Sequence, residues 1–332
     1  MLHVPDSFSA DTLKLDPTVE TAKIVAAMRS QLRSFKKRGL VLGLSGGIDS
    51  SVSLALAVEA VGKQNVEVLY MPERDSDPES LALGRQVANH YGLEGIVEDI
   101  GPTLDALRCY DRRDAAIRTI VPDYTSAWAC KVIIGQSGDG KGYTMSSLVV
   151  QSPAGVQSTH RMSSEVYLAV VAATNMKQRT RKLIEYSHAD RLNFAVLGTP
   201  NRLEYDQGFF VKNGDGAADV KPLAHLYKTQ VYQLAEHLGV PENIRRRPPT
   251  TDTYSLPQSQ EEFYFSLPYD LMDLCLYGLN NNLPVVAVAK AAKLTEDQVM
   301  TVWRDITSKR KATRYLHSGP LLVEPVAEIG AA

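Results

Sequence analysis

The sequence predicts an α/β fold: a doubly wound parallel sheet with helices on both faces, an inserted flap, and a helical carboxy-terminal part. Two observations carry that prediction. Short apolar runs alternate along the chain with stretches of helical hydrophobic spacing. The connections between them are short, which suits a parallel sheet covered on both faces.

From 19 to 37 the apolar Ile24, Val25, Met28 and Leu32 recur at helical spacing, and Gly39 ends the segment. "LVLGL" at 40–44 reads as a buried strand, and "SSVSLALAVEAVG" at 50–62 as a helix closed by Gly62. A strand at 66–71, a helix at 77–92 and a strand at 94–100 repeat the unit. Residues 179–190 then read as a helix, 194–199 as a strand and 225–239 as a helix. The rhythm breaks at 110–168, where Gly and Ser clusters surround two short β-branched runs, the pattern of a hairpin or flap. Connections of that length are usually functional lids or disordered segments. Beyond a Pro-rich loop at 245–257, "LPVVAVAKAAKL" and "TEDQVMTVWRDITSKRK" read as helices. The expected organisation is an arm at 1–18, a single domain at 19–325 interrupted by the 110–168 insertion, and a tail at 326–332.

With 332 residues, 44% hydrophobic and 22% charged, the composition is that of a globular protein. A net charge of −2 argues against a general nucleic-acid binder, which carries a basic excess. Cys109, Cys130 and Cys275 lie far apart with no CxxC pair, which disfavours a structural zinc or a disulfide framework. The amino terminus lacks a basic start followed by an apolar core. No apolar run reaches the ~20 residues that span a bilayer. The expectation is a soluble, cytoplasmic protein without a membrane or nucleic-acid partner.

The stretch "GLSGGIDSS" at 43–51 sits where the first strand should turn into a helix. Backbone N–H groups there have no intrahelical partner, and with the helix dipole they form an anion site. Gly46 and Gly47 let a phosphate approach the backbone, and Ser45, Ser50 and Ser51 offer hydroxyl donors. No lysine precedes Ser50, so this is not a GxxxxGK[ST] loop. Asp49 would repel a phosphate unless a cation lay between them, and magnesium resolves that conflict. The plain alternative is a tight turn with Asp49 as a helix-start carboxylate.

"SGGIDS" resembles the pyrophosphate-binding loop of the ATP pyrophosphatase superfamily, whose members cleave ATP between the α- and β-phosphates. "MPERDSDPES" (71–80), "NMKQRTR" (175–181), "VLGTPNRLEYDQGFFVKNGDGAADVKPLAHLYKTQV" (196–231) and "RRPPTTD" (246–252) resemble, in order, blocks of the ammonia-dependent NAD synthetase family. The resemblance covers about 20–108 and 173–320 and implies a Rossmann-like sheet of the ATP pyrophosphatase type. It implies adenylation of the carboxylate of deamido-NAD and amidation by ammonia, giving NAD, AMP and pyrophosphate. ATP would lie on Gly43, Leu44, Ser45, Gly46, Gly47, Asp49, Ser50 and Ser51, with Thr199, Lys228 and Thr250 at its phosphates. By the same resemblance Asp49, Lys228 and Thr250 are catalytic, and Asp49 and Glu204 ligate magnesium. Asn175, Arg181, Tyr186, Lys212, Asp215, Lys309 and Arg310 would serve the dinucleotide acceptor.

Without the family match, Glu204 reads as a loop carboxylate, Lys228 as a surface lysine, and Lys177, Arg179 and Arg181 as a solvated basic group. Ser308 stands where many bacterial members have histidine, and "LPQSQEEFYFSLPYD" at 256–270 replaces an Asp-Glu-rich stretch. With those departures and the insertion, a different carboxylate acceptor is the alternative reading. A tRNA-modifying enzyme would need a basic face, and a non-catalytic module would have lost Asp49, Glu204 or Lys228. A fused glutaminase needs another domain's worth of chain, so free ammonia or a separate glutaminase is implied; the family resemblance also implies a homodimer.

Overall fold

A computed structural model describes residues 8–135, 145–249, 253–260, 264–265 and 267–326. The centre is a four-stranded sheet in which every pairing is parallel. Strand β1 (Leu40–Gly43) lies between β2 (Val66–Tyr70) and a short strand at Ala195–Val196, and Ile96–Val97 forms β3 beyond β2. Alternate side chains serve opposite faces, as the two-residue period of a strand requires. Leu40, Leu42 and Val68 join one apolar cluster, whereas Val41, Leu69 and Val196 join another. Leu40, Val41 and Leu42 are fully buried, so both faces are covered.

One face is covered by α1 (Pro17–Ser34), α2 (Ile48–Val61) and α3 (Pro78–His90), through Met28, Leu54, Leu56 and Val87. Asp16 starts α1 by accepting from the N–H groups of Thr18 and Val19, with Pro17 in the first turn. The short α4 (Gly101–Ala106) and α5 (Cys109–Arg118) follow β3. A three-stranded antiparallel sheet comes next: β4 (Ala129–Gly135), β5 (Met145–Gln151) and β6 (Gln157–Arg161). Cys130, Val132, Leu148 and Val150 on its inner side pack with Ile117, Val121 and Tyr124.

The chain returns through α6 (Ser164–Leu192), which covers the second face of the parallel sheet, and into β7 (Ala195–Val196). After α7 (Arg202–Gln207), α8 (Lys228–His237) joins α1 and α2 on the first face, and α9 (Glu242–Arg246) precedes the Pro-rich loop. Helices α10 (Tyr269–Asn280), α11 (Val285–Ala292) and α12 (Glu296–Thr313) build a carboxy-terminal bundle around Leu276, Val288, Val299 and Ile306.

The parallel sheet and its helices match the expected fold class. Several elements differ in extent from the sequence reading: the strands expected at 94–100 and 194–199 shrink to Ile96–Val97 and Ala195–Val196. The helix expected at 179–190 begins at Ser164, where Ser163 accepts from the N–H of Val166 and caps it. The expected flap at 110–168 is a sheet confined to 129–161, with a helix before it and a helix after it. Its third strand, "QSTHR", carries no apolar alternation because it lies largely exposed at the edge.

Candidate active site

The strand order β3-β2-β1-β7 places a topological switch beside β1. From β1 the chain crosses to β2 on one side, whereas β7 pairs on the other. Loops leaving the carboxyl ends of β1 and β7 therefore diverge and open a crevice, the usual ligand position in open α/β sheets. A cleft of about 800 Å³ occupies this place.

At its floor the chain turns from β1 into α2. Gly46 has a φ of 76°, and a Cβ there would meet Leu83 Cβ at 2.7 Å and the Gly84 nitrogen at 2.8 Å. No other residue fits. Gly47 is different: an added Cβ would meet only Ser45 Oγ, at 3.4 Å, and no side chain caps α2. The first N–H groups of α2 thus lack a side-chain cap, beside a cleft lined by Ser45, Gly47, Asp49 and Ser50. Ser50 and Ser51 donate their hydroxyls to the Gly47 carbonyl at 3.0 and 2.8 Å. Ser51 is fully buried, so its hydroxyl braces the turn. Ser45 Oγ lies 3.2 Å from Ser50 Oγ.

Asp49 Oδ2 accepts from Lys228 Nζ at 2.5 Å, and its Oδ1 from Asn201 Nδ2 at 3.1 Å. Lys228 opens α8 and is completely buried. Burial opposes its charge, but Asp49 and Glu204 outweigh that effect and raise its pKa, so the ammonium is retained. Asp273 fixes the helix start, accepting from the N–H groups of Lys228 (3.3 Å) and Thr229 (2.7 Å). Burial pushes the Asp273 carboxyl up to about 6.

Glu204 stands in the first turn of α7. Asn201 caps that helix, and the two residues form a reciprocal capping box. Glu204 Oε2 accepts from the Asn201 N–H at 3.1 Å, and Oε1 accepts from Gln260 Nε2 at 3.2 Å. Burial, then the nearby Asp49 charge, push the Glu204 carboxyl up to about 8. Glu204 therefore keeps its proton at neutral pH until a cation displaces it, and Asp49 alone pairs with Lys228. Displacing that proton would leave two carboxylates for one lysine, a set of oxygen donors that suits a hard cation. Among the described residues no group of three or more His, Cys, Asp or Glu is placed to hold a metal alone.

Thr199 lines the same cleft, as do Asn175, Arg181, Lys212 and Asp215. Arg181 Nε donates to the Met71 carbonyl at 3.3 Å, and Asp215 Oδ1 accepts from the Val211 N–H at 2.8 Å. Burial raises the Asp215 pKa. Lys212 Nζ donates to the carbonyls of Tyr315 and Ser318, both at 2.7 Å, drawing residues 315–318 to the cleft mouth. Thr250 lies outside the described residues.

Three residues expected at the acceptor do not line the cleft. Tyr186 donates its hydroxyl to Asp219 at 3.2 Å. Lys309 Nζ donates to the Tyr264 carbonyl and to Asp305, and Arg310 forks onto Asp206 at 2.6 Å for both bonds. The docking of α12 on α7 pairs Arg310 with Asp206, while Lys309 is held by Tyr264 and by Asp305 of its own helix; the segment reaches the cleft through Thr313, Tyr315 and Leu316 instead. Lys177, read from sequence as part of a solvated group, is 2% exposed and binds Asp75 at 2.7 Å. Asn201 was not singled out in the sequence, and Gln260 stood out there only as one of the residues replacing the Asp-Glu-rich stretch, with no role. The Asn-x-x-Glu capping pattern was the available signal for Asn201; Gln260 had none.

Among the described residues no helix is long and apolar enough to cross a membrane. Cys109, Cys130 and Cys275 are buried and unpaired.

The family model described as NAD synthase matches residues 20–122 and 145–315, leaving out 123–144 and so all of β4. An NH(3)-dependent NAD(+) synthetase of Rhizobium meliloti (strain 1021) is 72% identical over 322 residues, which span 97% of this chain and 96% of that protein. One of Rhizobium rhizogenes (strain K84 / ATCC BAA-868) is 64% identical over 326 residues, 98% of each. Among solved structures, NMN synthetase from Francisella tularensis aligns with a TM-score of 0.64 at 21% identity, covering 94% of this chain and 100% of that one. At that identity the likeness concerns the fold.

Proposed function

The chain belongs to the NAD synthase family, and from that premise we propose that it amidates deamido-NAD with ammonia at the expense of ATP. The observation that carries the reading is the Asp49–Lys228–Glu204 group beside the uncapped start of α2, at the switch point of the sheet.

The triphosphate lies along Ser45 to Ser50, with its charge met by the α2 N–H groups and by Lys228. The acceptor carboxylate attacks the α-phosphorus in line with the departing pyrophosphate. A carboxyl adenylate results. Ammonia then attacks its carbonyl carbon, the bond to the AMP oxygen breaks, and the nitrogen loses a proton to leave the amide. No side chain needs to form a covalent bond. The protein positions the two substrates, neutralises charge and excludes water, which would otherwise hydrolyse the adenylate. Asp49 and Glu204 hold magnesium, which when bound supplies charge neutralisation at the phosphates. Thr199 and Thr250 contact the phosphates, while Asn175, Arg181, Lys212 and Asp215 serve the acceptor. Ammonia comes free or from a separate glutaminase, and the enzyme works as a cytoplasmic homodimer.

An oxygen-tracing experiment tests the chemistry. Deamido-NAD labelled with ¹⁸O in its nicotinate carboxylate should pass one label into the phosphate of AMP. Label in inorganic phosphate, with ADP as the other product, would contradict adenylation.

A further inference from the structure

We propose that strand β4 of the inserted sheet holds residues 253–258 against the nucleotide cleft, which makes Ser255 and Gln258 positioning residues for the reaction. The proposal rests on the ATP-dependent amidation described above.

The segment has no strand partner in the parallel sheet, and loops of this kind are ordinarily among the most mobile parts of a protein. Here it lies along β4. The Cys130 N–H donates to Ser255 Oγ at 2.9 Å, and the Leu256 N–H donates to the Cys130 carbonyl at 3.1 Å. Lys131 Nζ donates to the Pro257 carbonyl at 3.3 Å, and Gln258 Nε2 to the Val132 carbonyl at 2.5 Å. Three consecutive residues of one strand thus grip four consecutive residues of the loop. Tyr254 is buried in the same apolar cluster as Cys130, Val132, Leu148 and Val150. Lys177 Nζ secures the start of the segment through the Thr253 carbonyl at 2.9 Å.

The other end of the segment reaches the carboxylates. Gln260 Nε2 donates to Glu204 Oε1, and Gln260 Oε1 accepts from the Tyr269 hydroxyl at 2.7 Å. Thr253, Tyr254 and Gln260 line the cleft. Strand β4 is therefore joined to Glu204 through the six residues from Ser255 to Gln260. This strand belongs to the stretch that the family model leaves out, although the rhizobial relatives align over nearly the whole chain. Holding the loop beforehand removes the ordering cost that ATP binding would otherwise carry. It also keeps water from the adenylate.

The double variant Ser255→Ala/Gln258→Ala removes two of the side-chain bonds without touching the carboxylates. Amide exchange at 253–258 should quicken while exchange in β1 and α2 stays as in the unaltered chain. KM for ATP should rise about tenfold, the order expected for two lost hydrogen bonds. AMP should exceed NAD in the products, because leaked water returns the adenylate to AMP and deamido-NAD. Ser255→Thr, which keeps the hydroxyl, should retain the normal AMP-to-NAD ratio. Unchanged exchange at 253–258 would overturn the grip itself. Quickened exchange with unchanged KM and an unchanged AMP-to-NAD ratio would overturn its role in the reaction. Failure of the unaltered chain to make NAD would instead count against the amidation reading, and the exchange comparison would still test the grip.

Discussion

The turn at 45–51 and the loop at 253–260 meet at one cleft, yet they are built in opposite ways. In the turn, the bonds that set the shape join neighbours: Ser50 and Ser51 to Gly47, Gly47 to Ser45. In the loop they join residues separated by more than a hundred positions, such as Cys130 with Ser255 and Gln258 with Val132. A locally determined turn can hold its form in every protein that carries the motif. A loop held from a distance takes its form from whatever the chain provides opposite it, and here that is strand β4.

The largest expected effect is at the turn. Asp49→Asn keeps the size of the side chain but removes the charge that meets Lys228 and contributes to the cation site. Pyrophosphate release should fall by about 10³-fold or more, on the scale of losing one preorganised electrostatic contact, while circular dichroism stays unchanged. Normal turnover in that variant would remove the carboxylate from the mechanism.

The two glycines of the turn sharpen the contrast between shape and access. Gly46→Ala places a methyl against Leu83 and Gly84 at a positive φ, and should lower stability by about 1–3 kcal/mol in urea unfolding. Gly47→Ala meets only Ser45 Oγ, so its stability should change by less than about 1 kcal/mol while ATP binding weakens. Equal losses of stability in the two variants would contradict this division of labour.

A further effect is a drift with pH. The Glu204 carboxyl stands at about 8 against an ordinary 4.5. Between those values the folded chain holds a proton that the unfolded chain has released, so stability falls as pH rises through the window. Without divalent metal, the melting temperature of the unaltered chain should decline relative to Glu204→Gln from pH 5 to pH 8. A constant difference across that range would place the Glu204 carboxyl at its ordinary value.

The same division explains what the sequence made legible. Strands β1 and β2, with α1 to α3, follow from apolar spacing and from glycines at the ends, because burial on the sheet imposes those periods. The fold class was readable for that reason. The polar edge strand β6 and the first half of α6 were not, since neither carries a contrasting apolar face that marks its limits. At the site, Asp49 stands in a recognisable glycine turn, whereas Glu204 was legible only through its match to the family's blocks, its capping box emerging in the fold. Lys309 and Arg310 sit in a basic segment whose side chains take their direction from Asp305 and Asp206 on packed helices. Asp305 stands one turn back on the same helix as Lys309, but Asp206 is about a hundred positions from Arg310, and nothing in the neighbourhood of Arg310 announces it. Gln260 is a neutral amide without a motif, and only the folded chain brings it to Glu204.

The most direct measurement of the central claim is a product balance. The purified protein is supplied with ATP, magnesium, ammonium and deamido-NAD, and AMP, pyrophosphate and NAD are followed together. The account predicts equal amounts of all three, only when every component is present. AMP and pyrophosphate formed without NAD, at saturating ammonium, would contradict it.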